Sequence, residues 1–302
     1  MTSCAYADYD LHLHSQWSYD ATADIRDYFR LGRERGVRAL ALTDHHLMDG
    51  YEELVKVAAD FPDVGYIAGA ELTVHTPTGT FDMVCLGLPR QPTPELASVF
   101  DAYRAWQCAY GAAISANLVR LGHDFTDAER MAVLQSYRPP HIIARQGCTH
   151  VKNAVLRQTL VARGVAPDLE ALTEVFRQFR DMPKYPEYDF VLPAVRQAGG
   201  VILIAHPYGY FRQLERRRMD ELRELLAFDG IECAHPSLMP EATETLRAYC
   251  LEHRLLSSGG SDCHAAEGDF SRPDHVVDFA NHCGKPEWLD EILERVTLYH
   301  GA

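Results

Sequence analysis

Histidines and carboxylates recur along this chain at the ends of short apolar segments. The first group is Asp10-Leu11-His12-Leu13-His14, which ends a predicted strand at residues 9–13. Residues two apart on a strand point to the same side, so both imidazoles can face one ligand. Two such histidines beside a carboxylate suit Zn²⁺, Mn²⁺ or Fe²⁺, and Asp20 could reach back to the same point. Taken alone, the HxH pattern is equally compatible with packing or surface histidines.

A second group, Thr43-Asp44-His45-His46, directly follows the next apolar run. Parallel α/β folds place their chemistry at the carboxyl ends of strands. We therefore expect His45 to face the site and His46 to be an exposed loop histidine.

Two carboxylates follow in the next two predicted strands. Glu71 ends the third strand in Gly69-Ala70-Glu71, and Asp82 opens the fourth. A carboxylate has two oxygens and can bridge two cations, so Glu71 is predicted to be a bridge, with a helix cap or a solvated loop as the alternative. For Asp82, a ligand role competes with a turn or cap role.

The last groups lie in the second half of the chain. His206 stands in Ala205-His206-Pro207, where proline prevents the strand from continuing as a paired ladder. Asp262 and His264 are again two residues apart, and the preceding Gly259 and Gly260 let the backbone pass close to a site. With His, Asp or Glu at six separate strand ends, the sequence predicts a polynuclear metal site at one end of a barrel.

The elements that must position these residues alternate between strand and helix in the flanks of the chain. The predicted strands are 9–13, 37–42, 64–68, 201–205, 230–233 and 255–259, and the predicted helices are 22–35, 50–61, 218–227 and 241–253. This alternation is typical of an α/β fold with parallel strands.

The pattern changes between residues 90 and 190, where every candidate element is helical. Apolar residues recur at three- and four-residue steps from Leu96 to Leu118, and Thr126 with Glu129 predicts a capping box. The predicted organisation is therefore a barrel formed by 1–88 and 191–302, interrupted by an all-helical cap at 89–190.

Composition narrows the class of protein. The chain has 302 residues, 47% hydrophobic and 24% charged, which excludes a disordered protein. A net charge of −14 is opposite to the basic footprint that duplex DNA binding needs, although bound cations would still allow a phosphorylated substrate. No apolar run approaches the ~18 residues of a membrane helix. Eight scattered cysteines without a CxxC pair predict a cytoplasmic protein with reduced thiols.

The ordered set DLHLHS, TDHH, GAE, AHP and GGSDCH resembles the polymerase and histidinol phosphatase (PHP) family of metal-dependent phosphoesterases. The resemblance implies a distorted TIM-like (β/α)₇ barrel with two or three divalent ions, Mn²⁺, Fe²⁺ or Zn²⁺, at the strand carboxyl ends. The implied metal ligands are His12, His14, His45, Glu71, His206, Asp262 and His264. Asp20 stands where many members have an aspartate or a third histidine. Asp82 stands where members usually have a histidine. Because both positions hold metal ligands in the family, Asp20 and Asp82 are included among the predicted ligands.

The helical insertion resembles a branch of this family that hydrolyses small nucleotides or trims nucleic-acid 5′ ends. That branch carries an Arg-Pro-His-type motif on its cap, and Arg138-Pro139-Pro140-His141 is similar to it. Arginines are suited to phosphate oxygens because their charge is permanent and planar. Arg138, His141 and Arg145 are thus predicted substrate-binding residues, with pairing to surface carboxylates as the alternative for the arginines.

These expectations combine into a predicted hydrolase of phosphoric ester bonds. The nucleophile is a metal-bridging water, ionised to hydroxide by the cations, and Asp44 orients a ligand without touching the metal. The predicted substrate is a small phosphorylated metabolite, a nucleotide or an oligonucleotide end; neither a membrane nor sequence-specific duplex DNA is a predicted partner. Two alternatives remain: a barrel metallohydrolase acting on an amide or ester, and a catalytically inactive regulatory barrel.

Overall fold

Seven strands form one sheet in the computed structural model, which describes residues 6–269 and 276–301. Their spatial order is the same as their order along the chain. The strands are β1 (Tyr9–Leu13), β2 (Ala39–Leu42), β3 (Gly65–Thr76), β4 (Gly79–Leu86), β5 (Val201–Ile204), β6 (Gly230–Ala234) and β7 (Leu256–Gly259). The helices are α1 (Ile25–Arg35), α2 (Tyr51–Ala58), α3 (Pro94–Arg120), α4 (Asp127–Gln135), α5 (Pro140–Gln146), α6 (Asn153–Ala162), α7 (Leu169–Phe176), α8 (Tyr188–Gln197), α9 (Arg216–Leu226), α10 (Pro240–His253) and α11 (Pro286–Leu293).

The sheet closes on itself next to the first histidine motif. Leu13 forms a parallel bridge with Cys263 beyond the end of β7. The backbone N–H of Asp262 donates to the carbonyl of His12 at 2.9 Å, and that of His14 donates to the carbonyl of Cys263 at 3.0 Å. The predicted α/β barrel is confirmed. Its distortion comes from β4, which runs antiparallel to both β3 and β5 while the other neighbouring strands are parallel.

Helix α1 begins later than the sequence predicts. The expected start was residue 22, but the carboxylate of Asp24 accepts a hydrogen bond from the N–H of Arg26 at 2.8 Å and caps the helix there. The predicted end is correct, because Gly36 adopts the left-handed conformation at a φ of 73°.

Strand β3 is much longer than predicted, and the expectation that Glu71 ends a strand is wrong. The strand continues to Thr76 because β4 turns back and pairs with it from Gly69 opposite Leu86 to Thr76 opposite Gly79. Asp82 lies within β4, opposite Thr73, rather than at its start. Glu71 nevertheless lies level with the end of β2, since it forms a bridge with His45.

The two carboxylates continue the inward-facing side of the barrel. Ile67 on β3 and Val84 and Leu86 on β4 belong to one buried apolar cluster. Alternate residues of a strand share one face. Glu71 is four residues after Ile67 and Asp82 is two residues before Val84, so both carboxylates lie on the face that carries this apolar cluster. The barrel interior is therefore apolar at one end and carboxylate-lined at the other.

Every element between β4 and α8 is a helix. Helix α3 links two cores: Leu96, Val99 and Tyr103 pack with the sheet, whereas Ile114 and Leu118 pack in a separate cluster with residues of α4, α6 and α7. The hydroxyl of Thr126 accepts from the N–H of Glu129 at 3.4 Å and caps α4, as the sequence indicates. The division at residues 88/89 and 190/191 stays a prediction; α8 crosses the second boundary. None of the helices described is long and apolar enough to cross a membrane.

Candidate metal centre

All nine predicted ligands meet at the carboxyl end of the barrel. Each has a nitrogen or carboxylate oxygen within 3.8 Å of such an atom of another member. The set is His12, His14, Asp20, His45, Glu71, Asp82, His206, Asp262 and His264. They come from β1 and the segment after it, the β2 end, β3, β4, the β5 end and the segment after β7, which share one edge because the barrel closes.

Glu71 is the centre of this group. Its Oε2 lies 3.3 Å from Nε2 of His12, 3.3 Å from Nε2 of His14 and 3.1 Å from Nδ1 of His45. Its Oε1 lies 3.1 Å from Nε2 of His206. Oε2 is buried, yet it makes no hydrogen bond to any residue that the structure describes. An orphaned buried oxygen surrounded by imidazole nitrogens fits a cation-binding site.

The outer nitrogens of several histidines are already engaged by the protein. Nδ1 of His12 is 2.9 Å from Oε1 of Glu232, and Nδ1 of His264 is 2.8 Å from the carbonyl of Asp262. Such contacts fix the tautomer and leave Nε2 with a free lone pair. In His12 and His14 the two Nε2 atoms are 3.1 Å apart, so both lone pairs converge on one point.

Three overlapping donor groups can each hold one ion. Their members offer atoms that all lie within 4.8 Å of one another. The groups are His14, His45 and His264; His12, His14 and Glu71; and Glu71, Asp82 and His206. The donor chemistry fits two or three divalent cations that share Glu71.

In this cluster, attraction between the imidazoles and the carboxylates outweighs the effect of burial on their pKa values. Burial alone would raise the pKa of Glu71, but His12 and His45 hold it well below its usual range. Burial would lower the pKa values of His12 and His45, but the carboxylates raise both well above the ordinary value. Burial would also lower the pKa of His206, but its hydrogen bond to Glu71 raises that pKa to about 9. Without a cation these imidazoles keep protons, which a divalent ion has to displace.

Comparison with known proteins assigns the family. Residues 10–190 match the model of the PHP domain. The chain belongs to the PHP family. The matched range contains the first six predicted ligands, and the structure brings the remaining three, His206, Asp262 and His264, to the same place.

Two solved structures show the same fold over nearly the whole chain. An amidohydrolase from Chromobacterium violaceum, with bound sulfate and no metal, is 23% identical with a TM-score of 0.72, covering 98% of this chain and 99% of its own. A protein from Bifidobacterium adolescentis, described as a candidate metal-dependent phosphoesterase, is 23% identical with a TM-score of 0.68, and 96% of each chain is covered. No curated protein matches the sequence.

The backbone packs closely around the cluster of nine predicted ligands, which we call the PHP centre. Gly260 lies against β1, and a Cβ at this position would meet Cβ of His12 at 2.2 Å and Oε1 of Glu232 at 2.9 Å. The glycine is therefore needed for close approach, as predicted. His206 and Asp262 adopt positive φ angles of 29° and 53°, a conformation that costs energy in residues other than glycine and that clusters at functional sites.

Asp44 contacts the segment that follows His14. Its Oδ1 accepts from the N–H of Ser15 at 2.6 Å and its Oδ2 accepts from the Ser15 hydroxyl at 2.9 Å. Burial raises the pKa of Asp44 to about 7. Ser18, at the end of the same segment, accepts from the N–H of His45 at 3.0 Å. The role predicted for Asp44, to orient a ligand, would therefore act through this segment.

Sequence reasoning missed two residues of the PHP centre, both from β6 and its end. Glu232 is buried; besides its contact with His12, its Oε2 accepts from the N–H of His206 at 2.6 Å. His235 lies with Nε2 3.7 Å from Oδ2 of Asp262. A signal was present, because Ala234-His235-Pro236 repeats Ala205-His206-Pro207 at the end of a second strand.

The prediction that His46 is an exposed loop residue is wrong. Its side chain is 1% exposed, with Nε2 3.1 Å from the hydroxyl of Thr73 and Nδ1 3.2 Å from the amide of Gln107. The ring stacks on Tyr103 at 4.8 Å. Because β3 extends past the end of β2 and α3 packs over it, this histidine joins the barrel mouth to the helical segment.

The contacts that the structure gives Arg138, His141 and Arg145 are with protein groups other than the nine predicted ligands, and their substrate-binding role stays a prediction. Arg138 is 3% exposed and donates to Gln146 Oε1 at 2.7 Å and to the carbonyl of Trp17 at 3.2 Å. Nη1 and Nη2 of its guanidinium are bonded to the protein, whereas Nε has no hydrogen-bond partner among the residues described. His141 is exposed and lies edge-on to Trp17, and Nε of Arg145 is 3.5 Å from Asp49.

Two cavities adjoin the PHP centre. One, of about 610 Å³, is lined by the ligands Asp20, Asp262 and His264 and by Lys152. The other, of about 390 Å³, lies among helices of the insertion and has an aromatic lining. Its rings are Tyr19, Tyr110, His150, Phe176, Phe179 and Tyr185. Tyr19 and Asn153 line both cavities.

Proposed function

We propose that this protein is a divalent-metal-dependent phosphoesterase acting on a small phosphorylated molecule. The observation that carries the proposal is a chain of three overlapping donor groups, two of which share the buried carboxylate of Glu71, in a protein of the PHP family. Cations held there would polarise phosphoryl oxygens and lower the pKa of a bound water to about 7.

The residues of the centre position and orient what binds there. Glu71 directs one oxygen to His12, His14 and His45 and the other to His206, so it holds the donor groups in a fixed relation. Asp20, Asp262 and His264 lie on the side that opens into the 610 Å³ cavity. A phosphate would therefore approach the centre from this cavity.

A cation and a helix terminus face the same cavity and favour an anionic substrate. Lys152, Asn153 and Ala154, the start of α6, line it together with the ligands. No side chain caps α6 at Lys152, so its first N–H groups are available to an anion, and the helix dipole favours negative charge there. Lys152 thus takes the phosphate-binding role that the sequence predicted for Arg138 and Arg145.

The aromatic cavity is suited to the leaving group of the ester. It shares the lining residue Tyr19 with the phosphate cavity, and the Tyr19 ring is 5.2 Å from that of His45 and 3.8 Å from that of His150. Arg157 contributes a positive charge to its lining. Aromatic side chains bind planar rings by stacking, so among the predicted substrates a nucleotide fits better than a metabolite without a ring.

The test is turnover by protein depleted of metal and then reloaded with Mn²⁺, Fe²⁺ or Zn²⁺. We expect hydrolysis of an aryl phosphate and of nucleotides only after reloading, and no hydrolysis of the matching aryl amide or carboxylic ester. Cleavage of the amide or ester instead would identify the other class of metallohydrolase. Metal binding without turnover of any substrate would identify an inactive barrel, and either result would overturn the proposal.

A further inference from the structure

The two ends of the candidate metal centre differ in donor chemistry. One end offers three imidazoles, from His14, His45 and His264. The other offers two carboxylates and one imidazole, from Glu71, Asp82 and His206. Glu71 lies between them, with Oε2 3.1 Å from Nδ1 of His45 and Oε1 3.1 Å from Nε2 of His206.

The oxygen-rich end is a built arrangement. The hydroxyl of Tyr210 donates to Oδ2 of Asp82, and the same oxygen is 3.8 Å from Nε2 of His206. Tyr210 lies four residues after His206, so one segment supplies both a ligand and the group that orients Asp82. Phe81 packs edge-on against the Tyr210 ring at 5.1 Å and restricts its position.

Imidazole nitrogens suit zinc and iron, whereas carboxylate oxygens suit manganese and magnesium. We propose that the centre holds two different metals because its two ends offer different donor atoms. The Glu71–Asp82–His206 end selects an oxygen-preferring cation such as Mn²⁺. The His14–His45–His264 end selects Zn²⁺ or Fe²⁺. Asp82, oriented by Tyr210, sets this difference. The inference rests on the metal centre of the proposed function but does not depend on which bond the enzyme cleaves.

The experiment measures metal content rather than activity. Metal-depleted protein is dialysed against ZnCl₂ with MnCl₂ in increasing excess, because any given donor set binds Zn²⁺ more tightly than Mn²⁺, and the bound ions per chain are counted by mass spectrometry. We expect the wild type to retain Mn²⁺ beside Zn²⁺, with the electron paramagnetic resonance signal of an isolated Mn²⁺. Asp82→His supplies an imidazole at the oxygen-rich end, so the bound Mn:Zn ratio should fall by about tenfold or more.

Two further variants complete the design. Tyr210→Phe removes only the hydroxyl that orients Asp82, and we expect it to lose Mn²⁺ while Zn²⁺ content stays constant. Glu170→His is the matched control, since it adds an imidazole at an exposed position of α7 and should leave the ratio unchanged. If Asp82→His fails to fold, as judged by circular dichroism, the loss of Mn²⁺ in Tyr210→Phe decides.

Each outcome bears on a different claim. An equal Mn:Zn ratio in the wild type and in Asp82→His, or a wild type filled entirely with Zn²⁺, would overturn the inference while leaving the phosphoesterase proposal intact. A wild type that binds neither ion would overturn the metal centre itself. Selective loading without hydrolysis of any phosphate ester would support the inference and contradict only the proposed reaction.

Discussion

The barrel mouth and the helical insertion both carry residues that the sequence marks for chemistry, but only the first region brings them together. At the mouth, the nine predicted ligands from six parts of the chain lie together, and Glu71 contacts four of the histidines among them. On the insertion, Arg138 is buried against carbonyl oxygens and Arg145 faces Asp49. The ends of neighbouring parallel strands share one edge, so a motif at a strand end has a predictable location. A motif on a helix can face any direction.

The two regions differ in what surrounds their unsatisfied polar atoms. Nε of Arg138 and Oε2 of Glu71 are both buried without a hydrogen-bond partner among the residues described, although buried polar groups normally find partners. The other two guanidinium nitrogens of Arg138 bond to protein groups, whereas Glu71 Oε2 faces the imidazole nitrogens of His12, His14 and His45. An unsatisfied atom therefore indicates a cation site only where its neighbours are themselves metal-ligating groups.

Removing the central carboxylate should have the largest effect. Glu71→Gln keeps the size of the side chain but loses the charge that both donor groups share, so we expect loss of more than one metal equivalent per chain. Replacing residues that only support a ligand typically costs 10–100-fold, so kcat/KM should fall by more than about 100-fold. Glu52→Gln, an exposed carboxylate paired with Arg90, is the control. Full metal content in Glu71→Gln would refute the bridging role.

Glu232 tests whether the missed residue of β6 supports the centre. Glu232→Gln weakens its contacts with His12 Nδ1 and the N–H of His206, so metal affinity should drop by roughly 10–100-fold. Isothermal titration of the metal-depleted variant with Mn²⁺ measures this. Unchanged affinity would show that His12 is held by the sheet alone.

Metal affinity should depend on pH in a defined direction. Since the pKa of His206 is about 9 and those of His12 and His45 are also raised, these imidazoles are protonated in the metal-free protein at pH 7. Affinity should therefore fall as the pH is lowered from about 9, by up to about tenfold per pH unit for each proton displaced. Calorimetry in buffers of different ionisation enthalpy counts the protons released. No release would contradict the charge state inferred for the cluster.

Lys152 tests where the insertion contacts phosphate. Lys152→Met removes the cation that lines the ligand cavity, and the loss of one charge-assisted bond of about 1.5–3 kcal/mol predicts a drop in kcat/KM of at least about tenfold. The drop should appear with aryl phosphates as well as nucleotides, because the cavity adjoins the metal ligands. A normal kcat/KM would place the phosphate elsewhere.

Variants of Arg138 and Arg145 should show the smallest effects on catalysis, and the two variants should differ in their free energy of unfolding. Arg138→Met breaks buried bonds to Trp17 and Gln146 and should lower the free energy of unfolding by on the order of 2–4 kcal/mol. Arg145→Ala, at an exposed position, should change it by less than about 0.5 kcal/mol and leave kcat/KM nearly constant. Thermal unfolding and kinetics of both variants test this. A selective loss of nucleotide hydrolysis in Arg145→Ala would restore its predicted role in substrate binding.

Strand ends account for most of what could be predicted about the site. The alternation of strands and helices gives the barrel, and the histidine motifs follow apolar runs, so their meeting point follows from parallel topology. Glu71 and Asp82 are exceptions, because they lie within the antiparallel pair β3 and β4. His235 escaped notice although its motif repeats that of His206. Glu232 lies within an apolar strand, where a single carboxylate carries no periodic signal. Its function is visible only through the contact with His12, 220 residues away along the chain.

The sequence by itself determined the fold class and the set of residues that meet at the candidate metal centre, because both depend on local periodicity and on the order of motifs. Only the tertiary structure decided that β3 extends to Thr76, that His46 is buried and that Arg138 bonds to Gln146 and to the Trp17 segment. Each of these depends on a partner distant in sequence: β4 for the strand, α3 for the histidine and the Trp17 segment for the arginine. The free energy of such contacts comes from surfaces that meet only after folding, so no local pattern reports them.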